Sequence, residues 1–315
     1  MSSSRPRLRA LLTLTAVSLL AVSCVVFGPP TTRLPGGADR VENGIVVASF
    51  DFPESALLAE LYAGALEEHG FPVTRLINLG SRETVDPALF QGHVDFVPEY
   101  LGTALAFSSL GRSAASSNEL AMTKELATVL RPNGVSVGEP AAAQNQNGFV
   151  VTKATAERHG LVQISDLQDV AKDLAFGGPP ECPERPLCLA GLEERYDLGF
   201  RQFLSLDASG PATISALEEG DVDVALLFTT DPDIAAHDLV LLEDDRELQP
   251  AENVVPIVRS EVLDRYGSAF SRAIRRVTRR LSTPELRALN RSIEVEGRRP
   301  RDVAGEWLTE QGLIE

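Results

Sequence analysis

Lysine, histidine, cysteine and tryptophan are scarce in this sequence. Three Cys and four His in 315 residues, with His69, His93, His159 and His237 scattered, leave little material for a metal site. No C-x-x-C, H-E-x-x-H, P-loop or G-x-S-x-G pattern occurs, which removes the commoner zinc, nucleotide and serine-hydrolase signatures. No cofactor is expected. Positive charge is also short. Lys plus Arg number 29 against 45 Asp plus Glu, a net charge of −16, so the basic stripe that nucleic acid requires is missing. Beyond the N-terminal segment no apolar run approaches the roughly 20 residues of a bilayer span. What is present is a folding composition, 43% apolar and 23% charged with a mean hydropathy of −0.01. The length suits about two domains of roughly 100–200 residues.

Residues 1–23 read as a targeting segment. Arg5, Arg7 and Arg9 form a basic start, and Leu11 to Val22 is an apolar run too short to span. It ends in Leu20-Ala21-Val22-Ser23-Cys24, which resembles a bacterial lipobox with Ala21 where Leu is usual. Cys24 is thus the candidate lipidated first residue of an extracytoplasmic protein, the alternative being ordinary cleavage nearby. Residues 24–40 carry Pro29, Pro30, Pro35, Gly36 and Gly37 without a hydrophobic period, and read as a tether.

The remainder alternates short β-branched runs with helical periods. Ile45–Ser49 reads as a buried strand, and Pro53 with early acids begins a helix that Gly70 ends. Strands are expected at 73–79, 94–97, 148–152, 174–176, 202–206, 222–228, 239–242 and 254–258. Helices are expected at 87–90, 119–130, 189–196 and 214–219, with another beginning at Ser165 and more after residue 260. His69 and His159 each precede Gly, as residues at helix C-termini do. This alternation predicts mainly parallel sheets covered by helices on both faces. One pattern occurs twice: residues 88–95 and 216–223 both read A-L-x-x-G-x-V-D, each followed by an aromatic and a Thr, at Tyr100 and Thr103 and at Phe228 and Thr229. Such common residues can match by chance. The other reading is two similar α/β lobes, whose strand ends would present both aromatics to a shared cleft.

Cys182 and Cys188 flank a Pro-rich stretch. In an exported chain they are a disulfide candidate, worth on the order of 2 kcal/mol for so short a loop.

Ile45–Ser49, Asp51-Phe52 with Glu54, Asn78-Leu79-Gly80-Ser81, Gly92–Asp95 and Pro98-Glu99-Tyr100-Leu101-Gly102-Thr103 together resemble the substrate-binding subunits of osmoprotectant ABC importers, the glycine betaine, choline and carnitine type. The resemblance continues through Asn147-Gly148-Phe149, the Gly177–Cys188 loop, Gly191-Leu192, Tyr196, Gly220–Asp231 with Thr229-Thr230-Asp231-Pro232, and Leu242–Asp245. It covers nearly all of residues 44–315. It implies an α/β fold of the two-lobed type II periplasmic-binding-protein class with its ligand between the lobes. Lobe one would comprise 41–145 and 248–315, and lobe two 146–247. It also implies a permease and an ATPase as partners for a monomeric, lipid-tethered binding protein with no enzyme activity. A sensor or an enzyme on the same fold, or a binder of some other small solute, is the alternative.

A quaternary ammonium has no N–H to donate, so aromatic faces hold it, at about 0.5–2 kcal/mol per ring. The resemblance places Tyr100, Phe149 and Phe228 as walls, the alternative for each being plain core packing, and Phe52, just after the first strand, would close the floor. Thr103, Asn147, Thr229 and Thr230 would be polar handles, and Asp231 would supply negative potential. The family's cages are built largely of Tyr. Here Tyr occurs at 62, 100, 196 and 266, with Tyr62 and Tyr196 in helical runs, and Ala212-Thr213 lie where a further aromatic is usual. The solute therefore stays open among glycine betaine, choline, carnitine, ergothioneine-like betaines and less cationic molecules.

Overall fold

A computed structural model of the chain describes residues 41, 44–113, 116–207 and 209–315, so the segments expected to be signal and tether, with Cys24, lie outside the described residues. In chain order the elements are β1 (Ile45–Phe50), α1 (Pro53–Glu68), β2 (Val73–Gly80), α2 (Arg82–Phe90), β3 (Phe96–Tyr100), α3 (Leu101–Ser108), α4 (Glu119–Leu130) and β4 (Val135–Val137). There follow β5 (Asn147–Thr152), α5 (Lys153–His159), β6 (Ala175–Gly178), α6 (Leu189–Tyr196), β7 (Gln202–Ser205), α7 (Pro211–Glu219), β8 (Val224–Phe228), α8 (Asp233–Ala236) and β9 (Leu239–Leu241). Strand β10 (Val254–Arg259) and helices α9 (Ser260–Thr278), α10 (Thr283–Glu294) and α11 (Pro300–Glu310) complete the chain.

These strands form two sheets of the same plan, β2-β1-β3-β10-β4 and β7-β6-β8-β5-β9. In each sheet one strand runs against the rest: β10 is antiparallel to β3 and β4, and β5 is antiparallel to β8 and β9. The sheets are therefore mixed rather than mainly parallel. The reversed strands are the two that follow the connections between sheets, β4 to β5 and β9 to β10, so each enters its new sheet from the cleft end. The boundaries expected at 145/146 and 247/248 fall inside these connections. On the return, Leu248 still packs in the second sheet's core and Ala251 packs in the first's.

Each sheet has an apolar core on both faces, which is why its inner strands read as largely apolar runs. In β1, Ile45 and Val47 enter one core while Val46, Ala48 and Phe50 enter the other, the period of two that a pleated strand imposes. Helix α1 buries Leu57, Leu58, Leu61, Tyr62 and Leu66 among α9, α10 and α11, and so is apolar nearly all round.

The repeated octapeptide has a physical role. Gly92 and Gly220 adopt φ of 81° and 79°, the left-handed region where a Cβ is strained. The Asp that ends each copy then pins the neighbouring strand, β1 in one sheet and β6 in the other. Asp95 accepts from the Val46 amide at 2.9 Å, and Asp223 accepts from the Ala175 amide at 2.8 Å. Both Asp amides in turn donate to the carbonyls of those same residues, at 2.9 Å. The two copies thus build equivalent corners of the two sheets.

Cys182 and Cys188 form a disulfide in the loop leading from β6 to α6.

Candidate functional site

Strand ends and the two connections converge on a cavity of about 520 Å³ between the sheets. The repeat continues into it. Tyr100, the last residue of β3, pairs with Val254, the first of β10, and Phe228, the last of β8, pairs with Asn147, the first of β5. The next amide makes the same bond in each half: Leu101 N–H to the Asn253 carbonyl, and Thr229 N–H to the Gln146 carbonyl. Both aromatics therefore sit at corresponding sheet ends and line the same cavity, while the strand residues before them are buried.

Phe52 also lines it, at the N-cap of α1. Its ring lies 6.1 Å from Phe50 and 6.1 Å from Tyr100 in stacked pairs. Phe52 and Phe228 are both 37% exposed, which for large apolar rings beside a cavity leaves contact area for a guest.

Thr103, Asn147, Thr230 and Asp231 line the cavity as expected from the sequence, and the side chains of Thr103, Asn147 and Asp231 are already engaged. Thr103 donates its hydroxyl to Glu252 at 2.7 Å, and Asn147 donates to the Leu187 carbonyl at 3.0 Å. The Thr230 carbonyl accepts from Asn290 at 3.1 Å. Asp231 accepts from the Ser209 hydroxyl and from the Asp233 amide, the latter at 2.8 Å.

Two residues expected in the site are elsewhere. Phe149 is 1% exposed and packs with Phe176 in the second sheet's core. It lies two positions inside β5, and at the strand's period of two it shares a face with Val151, so it points between layers and not out of the sheet end. Thr229 is not among the cavity-lining residues. Its hydroxyl accepts from the Gln146 amide at 3.0 Å and its carbonyl accepts from Arg287, so it fastens the first connection and α10 together.

The residues missed from the sequence are acids and amides. Glu54, 3% exposed in the first turn of α1, accepts from the Tyr100 hydroxyl at 2.6 Å, from Asn145 at 2.9 Å and from Asn290 at 2.5 Å. A first-turn acid normally reads as a solvated partner of the helix dipole, and nothing local marks this one as buried. Asn290 and Glu294 lie four apart on α10, and so on one helical face, and both reach the cavity from the C-terminal tail. Glu252 on the return connection is buried, and loss of water raises its carboxyl to about 7. Glu294 is exposed as a residue at the rim. Partial desolvation of its carboxyl, with the charges of Asp231 and Glu54, raises it to about 7 as well. Burial likewise raises Asp231.

Among the described residues no Lys or Arg lines the cavity, and no cluster of His, Cys, Asp and Glu could hold a metal. Aromatic faces and carboxylates with no resident counter-cation can attract a diffuse positive charge.

Residues 43–310 match the family described as the substrate binding domain of ABC-type glycine betaine transport systems. The chain belongs to this family. It is therefore a solute-binding domain and not an enzyme. It is similar to the glycine betaine-binding protein YehZ of Escherichia coli strain K12, with 30% identity over 268 residues covering 82% of this chain and 88% of that one. It is also similar to the carnitine transport binding protein OpuCC of Listeria monocytogenes, with 25% identity over 90% of this chain and 91% of that one. Among solved structures, one titled as a glycine betaine/carnitine/choline ABC transporter superposes with a TM-score of 0.78 at 25% identity, covering 86% of this chain and all of that one. Apo YehZ superposes with a TM-score of 0.73 at 29% identity over 86% of this chain and 99% of that one. These two-lobed α/β relatives agree with the paired sheets described above. Within the described residues of this binding domain, no helix is long and apolar enough to cross a membrane.

Proposed function

We propose that this protein captures a quaternary-ammonium solute outside the cytoplasm and hands it to a membrane permease driven by an ATPase. It would work as a monomer held at the membrane by lipid on Cys24. The observation that carries the reading is the cavity wall, in which the rings of Phe52, Tyr100 and Phe228 stand beside Glu54, Asp231, Glu252 and Glu294 with no described Lys or Arg. Rings offer π-faces and apolar contact to methyl groups, and the carboxylates stabilise the charge that those methyl groups spread. Lobe one would comprise 41–145 and 248–315 and lobe two 146–247, closing about the two connections to remove water from the head group. That desolvation is what makes the ring attraction large.

A thermal-shift screen of quaternary ammonium compounds against amino acids, sugars and inorganic ions tests this. A true ligand at 100 times its dissociation constant adds about 2.7 kcal/mol of stability, a shift of several degrees. Stabilisation by sugars or anions alone, with none by any quaternary ammonium, would overturn the reading.

A further inference from the structure

We propose that the cleft selects a small organic cation that carries a hydroxyl or amine hydrogen and no carboxylate, in preference to a zwitterion with the same head group. This rests on the solute-capture reading and narrows it to a substrate class.

The first support is charge. The carboxylates of Glu54, Asp231, Glu252 and Glu294 share one cavity. The nearby guanidinium groups are committed elsewhere. Arg82 makes a two-pronged ion pair with Glu99 at 2.6 and 2.9 Å, and Arg287 donates to the Thr229 carbonyl. Neither lines the cavity. An anionic tail would enter without a cation to meet it.

The second support is the hydrogen-bond inventory. A carboxylate needs donors, and, the Thr230 hydroxyl apart, the side-chain donors of the wall are already used. Tyr100, Asn145 and Asn290 all donate to Glu54. Thr103 donates to Glu252 and Ser209 to Asp231. Asn147 and Gln249 both donate to the Leu187 carbonyl, at 3.0 and 2.9 Å. What remains for an anion is the Thr230 hydroxyl and the second hydrogen of neutral amides.

The third support is a pair of acceptors with nothing to accept. The Oδ1 atoms of Asn145 and Asn290 are buried and have no partner among the described residues, and both residues line the cavity. Asn290 is 2% exposed, and its orientation is set because Nδ2 lies against oxygens of Glu54 and Thr230. A buried acceptor left open is costly, and a donor on the guest would satisfy it. The raised carboxyls of Glu252 and Glu294 agree, since desolvation and neighbouring negative charge make both sites ones that a guest cation would stabilise.

Choline and glycine betaine make a matched pair. They share the trimethylammonium head and differ in a hydroxyl against a carboxylate. Isothermal titration of the wild-type binding domain near neutral pH should give choline at least about tenfold tighter binding than glycine betaine. The uncharged carbon isostere of choline should bind at least about tenfold more weakly than choline. Glu252→Gln should narrow the gap between choline and betaine. If that variant does not fold, the wild-type comparison decides alone. Glycine betaine binding as tightly as choline, or tighter, overturns this inference and leaves solute capture standing. Binding of neither compound overturns this inference, and the capture reading then stands or falls by the thermal-shift screen of the other quaternary ammonium compounds.

Discussion

Glu54 is the group on which the site's wall depends, and replacing it should unfasten more than one element. Its carboxylate takes hydrogen bonds from Tyr100 at the end of β3, Asn145 on the first connection and Asn290 on α10. Glu54→Ala leaves three donors without their acceptor. Tyr100 and Asn290, 6% and 2% exposed, cannot turn to water, and each unsatisfied buried donor costs about 1–3 kcal/mol. Asn145 is partly exposed and can be rehydrated. Release of the buried charge offsets part of the loss. The net expectation is about 2–5 kcal/mol, which for a domain of this size lowers Tm by roughly 5–10 °C. Glu54→Gln keeps the volume but sets an NH2 against at least one donor, and should cost about 1–3 kcal/mol. Urea unfolding followed by circular dichroism measures both, with an unchanged slope showing that the denatured state is not altered. A double-mutant cycle with Tyr100→Phe isolates the 2.6 Å bond and should give a coupling of about 1 kcal/mol or more. If Glu54→Ala unfolds within about 0.5 kcal/mol of wild type, or the cycle shows no coupling, the hub reasoning is wrong.

Further outcomes follow from other parts of the molecule. Phe228→Ala should weaken a cationic solute by roughly 1–3 kcal/mol, and Phe228→Leu by nearly as much, because Leu keeps contact and loses the π-face. A Leu variant that titrates like wild type would mean the wall is merely hydrophobic. Glu252 is raised from 4.5 to about 7 in the fold, so the native state holds its proton more tightly than the unfolded chain. Its contribution to the stability of the unliganded protein should therefore be fully present below about pH 4.5 and fade as pH rises through 7, by up to about 3 kcal/mol. A Glu252→Gln variant should show a flatter profile across that window in chemical denaturation, and an identical profile refutes the assignment. Cys182→Ser with Cys188→Ser should cost about 2 kcal/mol by the same assay, since the bond closes a short loop beside the wall residue Leu187. Cys24→Ser should move the protein from the membrane to the soluble fraction, and unchanged fractionation would count against lipidation.

Much was settled by the sequence itself. The apolar strands, the Gly within each repeat and the Asp that ends it depend on rules that act over a few residues, while the two-lobed class was legible through the family resemblance. Tyr100 and Phe228 were legible as partners because the repeat put them at corresponding strand ends. The identity of the cleft's polar groups was decided only in three dimensions. Glu54 looks like any first-turn acid until β3, the first connection and α10 supply its donors, two of them more than 90 residues away along the chain. Asn290 and Glu294 belong to a tail that the sequence marks only as helical, and they reach the cavity because α10 packs against α1. Phe149 carries the same residue type in the expected strand, yet a shift of two positions from the sheet end turns a wall into core. Local pattern sets which elements form and which faces are apolar. Which side chains then share one dry cavity depends on contacts between distant segments, and burial there is what makes a carboxylate or an amide part of a binding site.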